Sequence, residues 1–194
     1  MIIGVLALQG DFREHIWSLQ RLGVEAFAVK SVSDLERIDG LIIPGGESTS
    51  IGRIAKVTGV GEKIVELAKR GLPIYGTCAG MILMAKRIVD HPDQYRFGLM
   101  DIAVRRNAYG RQIDSFETYL DVENIGRVKA VFIRAPMVVE VSDNVEVLAR
   151  YENVPVLVKQ GNLLASSFHP ELTDDLRIHA YFVKMVADRH ESVR

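Results

Sequence analysis

Cysteine is almost missing from this sequence: the 194 residues contain one, Cys78. A single cysteine excludes a disulfide within the chain and any metal site built from paired cysteines. Proteins of oxidising compartments often depend on disulfides, so this scarcity favours a reducing compartment and predicts a cytosolic (cytoplasmic) protein. Any functional role of the Cys78 thiol within this chain would therefore come from its reactivity rather than from a disulfide.

A charge excess is also missing, because 24 Lys and Arg face 25 Asp and Glu, giving a formal net charge of -1. No electrostatic argument then favours nucleic acid or an anionic membrane as a partner, and we expect neither. The apolar run at residues 2–8 is far shorter than the roughly 20 residues that cross a bilayer. It lacks a basic segment before it, so we interpret it as a buried strand rather than a signal peptide.

Apolar strand-like runs alternate with amphipathic helical segments through the first half of the chain. The runs lie at residues 2–8, 24–29, 40–43 and 72–75. Continuous apolar strands of this kind are typical of parallel sheets that are buried on both faces. The alternation with helices predicts a doubly wound sheet.

The pattern changes after residue 86, where short strand-like segments follow one another without a long helix between them. Residues 163–168 carry few charges and are suited to a return to the central sheet, and a closing helix is predicted at 174–188. We predict one domain, residues 1–194, of the α/β class. The fold would have three layers, with helices on both faces of a doubly wound, mostly parallel sheet, and an antiparallel excursion in the second half.

Cys78 lies between Gly76 and Gly80 in the pattern G-x-C-x-G, after a strand-like run and before a helical segment predicted at 79–86. A nucleophile at the apex of a sharp strand-to-helix turn is a nucleophile elbow, which is best known with serine. Glycines relieve the crowding of such a turn. The plainer alternative is a small buried cysteine beside helix-capping glycines.

A cysteine nucleophile needs a base, and the chain offers five histidines. His15 lies in a helical pattern and is interpreted as a packing or surface residue, and His179 belongs to the closing helix. Only His169 follows an apolar strand. Glu171 comes two residues later, so in an extended segment both side chains would point the same way. This predicts a triad of Cys78, His169 and Glu171, the alternative being a polar His-Pro-Glu turn.

Three unusual segments would meet at one edge of the sheet, because ligands of open parallel sheets collect at the carboxyl ends of the strands. They are residues 44–48 (PGGES), the elbow, and residues 168–172 (FHPEL). Acyl transfer also requires donors for an oxyanion. The N–H of Ala79, after the nucleophile, and the backbone at Gly46 are the candidates; an ordinary Pro-Gly-Gly turn is the alternative.

The segments G-T-C-A-G, P-G-G-E-S and F-H-P-E together resemble the class I (triad) glutamine amidotransferases. Further segments are similar to the glutaminase subunits of pyridoxal 5′-phosphate synthase within that family. These segments are residues 4–10 (GVLALQG), 44–49 (PGGEST), 106–112 (RNAYGRQ), 114–117 (DSFE), 132–136 (FIRAP) and 167–173 (SFHPELT).

The resemblance implies hydrolysis of L-glutamine to glutamate and ammonia through a thioester on Cys78, with His169 as acid and base. It implies glutamine contacts from the six residues named below, and oxyanion donors at Gly46 and Ala79. It implies no cofactor and no metal. It also implies a heteromeric complex with a PdxS-type synthase subunit, which receives the ammonia for vitamin B6 synthesis. The implied glutamine-binding residues are Gly46, Glu47, Ser48, Arg106, Ile133 and Arg134.

Other functions remain open at this point. The chain could be the glutaminase subunit of another ammonia-using synthase, which the segments at 106–112 and 115–117 argue against. A cysteine hydrolase or chaperone of the PfpI type shares the elbow but not a C-terminal His-Pro-Glu. The alternative that is not an enzyme is a regulatory module that keeps the fold without the chemistry.

Overall fold

A computed structural model describes residues 1–106 and 115–193 of the chain. The strands within these residues are β1 (Ile2–Leu6), β2 (Glu25–Val29), β3 (Gly40–Ile43), β4 (Ile74–Thr77), β5 (Ala85–Ile88), β6 (Met100–Arg105), β7 (Ser115–Val122), β8 (Gly126–Ile133), β9 (Met137–Val141), β10 (Glu146–Tyr151), β11 (Val154–Gln160) and β12 (Leu163–Ser166). The helices are α1 (Phe12–Arg21), α2 (Val32–Leu35), α3 (Ser48–Thr58), α4 (Val60–Lys69), α5 (Ala79–Met84) and α6 (Arg177–Ser192).

The main sheet has the strand order β10-β11-β12-β4-β3-β1-β2. The pairs from β12 to β2 are parallel, whereas β12 with β11 and β11 with β10 are antiparallel. The predicted return of residues 163–168 to the central sheet is confirmed, because β12 lies beside β4. The predicted α/β class and the mostly parallel sheet are likewise confirmed.

Two apolar cores lie on opposite faces of this sheet because alternate residues of a strand point to opposite sides. On one face, Leu41 and Ile43 of β3 pack with the side chains of α3, α4 and α5. On the other face, Ile42 of the same strand packs with Leu19 of α1 and Phe182 of α6. The strands carry continuous apolar runs because both of their faces are covered.

The antiparallel excursion forms two smaller sheets, β5-β6-β9 and the hairpin β7-β8. The hairpin packs through Leu120, Val128 and Phe132 against the same core as α1 and α6. Its second strand, β8, brings Ile133 towards the carboxyl edge of the main sheet, where Cys78 Sγ lies 3.7 Å from the carbonyl oxygen of Ile133. The excursion therefore supplies one wall of the site.

Two helix boundaries differ from the sequence prediction. The helix predicted at 79–86 ends at Met84, because Ala85 adopts an extended conformation and starts β5, which pairs with β6. The closing helix begins at Arg177 rather than at residue 174. Residues 107–112 and Asp114 of the sequence motifs lie outside the described residues. No helix in the described part of the chain has both the length and the apolarity that crossing a membrane requires.

Candidate active site

The turn at Cys78 has the geometry of a nucleophile elbow. Cys78 has a φ of 51°, between the end of β4 and the start of α5, and its N–H donates to the Ser166 carbonyl at 2.8 Å. A Cβ on Gly80 would lie 2.2 Å from the carbonyl oxygen of Ile43, and one on Gly76 would lie 2.6 Å from the Gly80 carbonyl carbon. Both glycines are therefore required by close backbone approach, as the pattern G-x-C-x-G predicted.

His169 follows β12 at the same edge, and its Nδ1 is hydrogen-bonded to Glu171 Oε1. The prediction that both residues lie on an extended segment was wrong: Pro170–Leu172 forms a 3-10 turn that begins after His169. The turn nevertheless aims the Glu171 carboxylate back at the imidazole. Both side chains are nearly fully buried, and Cys78 lies close enough to His169 to raise the pKa of its imidazole.

Burial opposes the charged form of His169, but its contacts with Cys78 and Glu171 outweigh burial and hold the pKa of the imidazole well above its ordinary value. Burial raises the pKa of Glu171, and the neighbouring His169 partly offsets that effect. The imidazole is thus the cationic member of the group at neutral pH. A protonated imidazole beside a thiol sulfur is the arrangement of an activated cysteine nucleophile.

A cavity of about 270 Å³ opens in front of Cys78 and His169. It brings together the predicted nucleophile, base and glutamine-binding residues, whereas Glu171 lies behind His169 and Ala79 begins α5. Asp11 and Ile82 also contact this space, although no sequence motif predicted either as a site residue. The lining residues are Asp11, Gly46, Glu47, Ser48, Cys78, Ile82, Arg106, Ile133, Arg134 and His169.

The Gly45–Gly46 segment is fixed against the loop that follows β1. The Asp11 N–H donates to the Gly45 carbonyl at 2.9 Å, and the Glu47 N–H donates to Gln9 Oε1 at 2.8 Å. A Cβ on Gly45 would lie 2.5 Å from His169 Cε1. Only a residue without a side chain lets this segment lie against the imidazole.

Glu47 and Ser48 begin α3 at the cavity wall. The Glu47 carboxylate accepts hydrogen bonds from the backbone of Thr49 and Ser50, and the bond from the Ser50 hydroxyl is the main reason for its lowered pKa. Glu47 is therefore an anion at the cavity and a helix N-cap at once. An anion at this position suits a ligand ammonium group.

Gln94 connects two of the predicted substrate residues and was not identified from the sequence. Its Nε2 donates to Ser48 Oγ at 2.9 Å, and its Oε1 accepts from Arg106 Nη1 at 2.8 Å. Arg106 Nη2 also lies 3.8 Å from Glu47 Oε1. Gln94 lies in a polar loop without a motif, so no sequence signal marked it.

A pair of buried histidines lies behind the triad. His15 of α1, which the sequence placed as a packing or surface residue, is fully buried with its Nε2 3.4 Å from Glu171 Oε2. Its Nδ1 lies 2.8 Å from Nε2 of His179, which is also fully buried. Burial lowers the pKa of His15 well below its ordinary value and that of His179 to about 4, so both rings are neutral at pH 7.

Metal-ligand atoms of Asp11, His169 and Glu171 lie within 4.8 Å of one another. The nitrogen that His169 would offer is the Nδ1 that already binds Glu171. An ion at this position would compete with the hydrogen bond that orients the imidazole. The donor set therefore fits a catalytic triad better than a metal centre.

Residues 5–188 match the family model of the SNO glutamine amidotransferase family. The chain belongs to this family. A "Pyridoxal 5'-phosphate synthase subunit PdxT" of Pseudothermotoga lettingae is 61% identical over 194 residues, covering 100% of both chains. A protein of the same name from Thermus thermophilus is 54% identical over 185 residues, which is 95% of this chain and 97% of that one.

The solved structures agree with this family membership. A structure described as a glutamine amidotransferase has a TM-score of 0.94 at 50% identity, covering 96% of this chain and 100% of that one. A putative GMP synthase subunit from Thermoplasma acidophilum, at 21% identity and a TM-score of 0.72, shares the fold over 98% of this chain and 96% of its own. The resemblance to class I glutamine amidotransferases is thus confirmed.

Proposed function

We propose that this amidotransferase is the glutaminase subunit of a pyridoxal 5′-phosphate synthase, hydrolysing L-glutamine and passing the ammonia to a synthase subunit. The observation that carries the proposal is that Cys78 and His169 line one cavity while Glu171 binds His169 from behind. The full-length similarity to PdxT proteins supports the choice of pathway. Both cores pack on one sheet, which supports treating residues 1–194 as a single domain.

The reaction begins when Cys78 Sγ attacks the side-chain amide carbon of glutamine and forms a tetrahedral intermediate. Backbone N–H groups at Ala79 and Gly46 hold the oxyanion. Ala79 suits this role because the first N–H groups of a helix have no partner within the helix. His169 then gives its proton to the nitrogen, the C–N bond breaks, and ammonia leaves a γ-glutamyl thioester on Cys78.

Water completes the cycle. His169, now neutral, takes a proton from the water that attacks the thioester carbon, and the second tetrahedral intermediate expels the Cys78 thiolate with glutamate. Glu171 holds the imidazole in the orientation that both transfers need and stabilises its charged form. Each proton that His169 donates in the first half is recovered in the second.

The remaining lining residues fit the amino-acid end of glutamine. The Glu47 carboxylate is suited to the α-ammonium group, and the Arg106 guanidinium is suited to the α-carboxylate. The carbonyl oxygens of Ile133 and Arg134 lie 3.7 and 4.0 Å from Cys78 Sγ, so these residues close the wall beside the nucleophile. Ser48 and Gly46 complete the opposite wall.

We infer a synthase subunit as partner because this chain lacks motifs for the synthesis step that would use the ammonia. Its sequence contains no phosphate-binding loop and no catalytic lysine motif for building pyridoxal 5′-phosphate from sugar phosphates. A separate synthase subunit must therefore use the ammonia, as the PdxT name of the relatives also indicates. A cytosolic location for the complex stays a prediction from the scarcity of cysteine.

The test is glutamine hydrolysis by the wild type and by Cys78→Ala, each with and without the synthase subunit. The nucleophile's loss should lower kcat at least about a thousandfold. Full activity in Cys78→Ala would refute the mechanism. Pyridoxal 5′-phosphate formation with glutamine as the nitrogen source tests the pathway separately: an active glutaminase that never supports it serves another synthase.

A further inference from the structure

Two buried histidines from distant parts of the chain, His179 and His15, form a line that ends at Glu171 of the proposed triad. The Glu171 oxygen that His169 does not bind is Oε2. It lies 3.4 Å from His15 Nε2 and has no hydrogen-bond partner among the described residues. His15 Nε2 also lies 3.1 Å from Thr77 Oγ1, one residue before the nucleophile. His15 Nδ1 meets His179 Nε2 at 2.8 Å. The mechanism above uses neither histidine.

The partners decide which nitrogen of each ring carries the proton. The Thr77 hydroxyl can donate to or accept from His15 Nε2, so it fits either tautomer. Without a proton on His15 Nε2, its lone pair would face the carboxylate oxygen of Glu171 across 3.4 Å, which is repulsive. With the proton there, the neutral His15 ring offers Nδ1 as an acceptor, and His179 Nε2–H donates to it. His179 Nδ1 is then bare, which agrees with its lack of an acceptor among the described residues.

We propose that His15 is a positioning residue of the reaction, which holds Glu171 in place through its Nε2–H, and that His179 fixes the tautomer of His15 that makes this possible. The proposal deepens the proposed glutaminase function and rests on it. His179 Nε2–H donates to His15 Nδ1, His15 Nε2–H faces Glu171 Oε2, and His169 Nδ1–H donates to Glu171 Oε1. Each buried carboxylate oxygen of Glu171 then faces a nitrogen donor, which favours the ionised carboxylate that must orient His169.

The groups facing Glu171 set the sign of the expected pH effect. They are His169 on its own loop, Asp11 ahead of α1, His15 on α1, Tyr75 on β4 and His179 behind His15. Tyr75 stays neutral, because burial raises its pKa well above the ordinary value. Removing the His15 donor leaves Glu171 less stabilised as an anion. The acid limb of kcat/KM should therefore move to higher pH.

The deciding variants are His15→Leu and His15→Gln, assayed for glutaminase activity with the synthase subunit present. For His15→Leu we expect kcat to fall about ten- to a hundredfold with KM changed less than about twofold, and the acid limb to rise by about one pH unit. The amide nitrogen of His15→Gln can take the place of Nε2, so this variant should recover most of the activity and the wild-type profile. His179→Leu should show a smaller shift in the same direction.

Two controls separate positioning from stability. Leu19→Val removes a buried methylene group from the same helix without touching Glu171, so it should keep the wild-type pH profile. Nitrogen-15 NMR of the histidine rings of the wild type gives a readout independent of activity, and both rings should be Nε2–H tautomers at pH 7. A His15 ring protonated on Nδ1, or a wild-type pH profile in His15→Leu, would overturn the proposal.

The same experiments distinguish a failure of the proposed glutaminase mechanism from a failure of the proposed role of His15. If Cys78→Ala remains active, the proposed glutaminase mechanism is lost whatever the histidines do. If Cys78→Ala is inactive while His15→Leu and His15→Gln both match the wild type, the mechanism stands and only the positioning role of His15 is refuted. The tautomers are measured on the resting enzyme, so they remain informative in either case.

Discussion

A single methyl group added at Gly45 should lower the glutaminase activity about a hundredfold while leaving the fold intact. In Gly45→Ala the new Cβ would lie 2.5 Å from His169 Cε1 and 3.1 Å from Nδ1. Carbon atoms pack at about 3.5 Å or more, so the ring must retreat by about 1 Å. The backbone of Gly45 needs no positive φ, and the clash is therefore with the imidazole of His169, the proposed acid and base.

A displacement of about 1 Å in a catalytic group can lower the rate about a hundredfold, or about 2.7 kcal/mol in the barrier. We expect that loss mainly in kcat, measured as glutamate release in the presence of the synthase subunit. The melting temperature should change little, because the ring can move towards the open cavity. Thermal unfolding monitored by circular dichroism checks this part.

Gly52→Ala is the matched control, because Gly52 lies within α3 and its Cβ would meet the end of the Leu83 side chain at 3.2 Å and the Tyr95 carbonyl oxygen at 3.3 Å. None of its three nearest atoms belongs to Cys78, His169 or Glu171. Alanine favours helix over glycine by roughly 1 kcal/mol, which offsets the crowding. Its activity should equal that of the wild type. Wild-type kcat in Gly45→Ala would refute the steric argument, and so would a loss of activity explained entirely by unfolding.

Two further predictions concern the elbow and the buried histidines. Gly80→Ala should destabilise the fold by about 3 kcal/mol or more, seen in urea unfolding, because its Cβ would meet the Ile43 carbonyl oxygen at 2.2 Å and backbone must move. His179 has a pKa of about 4 against 6.5 for a free ring, so only the unfolded chain gains this proton between those values. The stability of the wild type relative to His179→Gln should therefore fall by up to about 3 kcal/mol as the pH drops from 7 to 4, and a pH-independent difference would refute the assignment.

The sequence was most informative where one local cause determines the structure. Parallel strands covered on both faces must be apolar throughout, so the runs in β1, β3 and β4 were recognisable without any partner in view. The break between α3 and α4 was also visible, because Gly59 takes a left-handed φ of 80° that other residues avoid. Helix ends were less certain, since the pairing that converts Ala85 to strand lies in β6, fifteen residues further along.

The proximity of Cys78, His169 and Glu171 was predictable because they belong to short motifs with a fixed place in the fold. The glycines around Cys78 report the crowding of the turn, and His169 and Glu171 lie two residues apart. Parallel strands bring their carboxyl ends to one edge, so motifs after β3, β4 and β12 had to meet. The mode of contact between His169 and Glu171 was still wrong in detail, because the proline after the histidine starts a 3-10 turn.

The residues that sequence reasoning missed share a different property. His15 and His179 are 164 positions apart, and each lies in a helix whose apolar periodicity is the same whether the ring packs or donates. The sequence around a buried helical histidine therefore does not indicate its hydrogen-bond partner. For His15, the partner is recognised only in the structure, where Nε2 faces Glu171 Oε2. The Glu171 carboxylate is fully buried and has two oxygens. His169 binds only one of them, Oε1. The second oxygen requires another donor, and the structure offers His15.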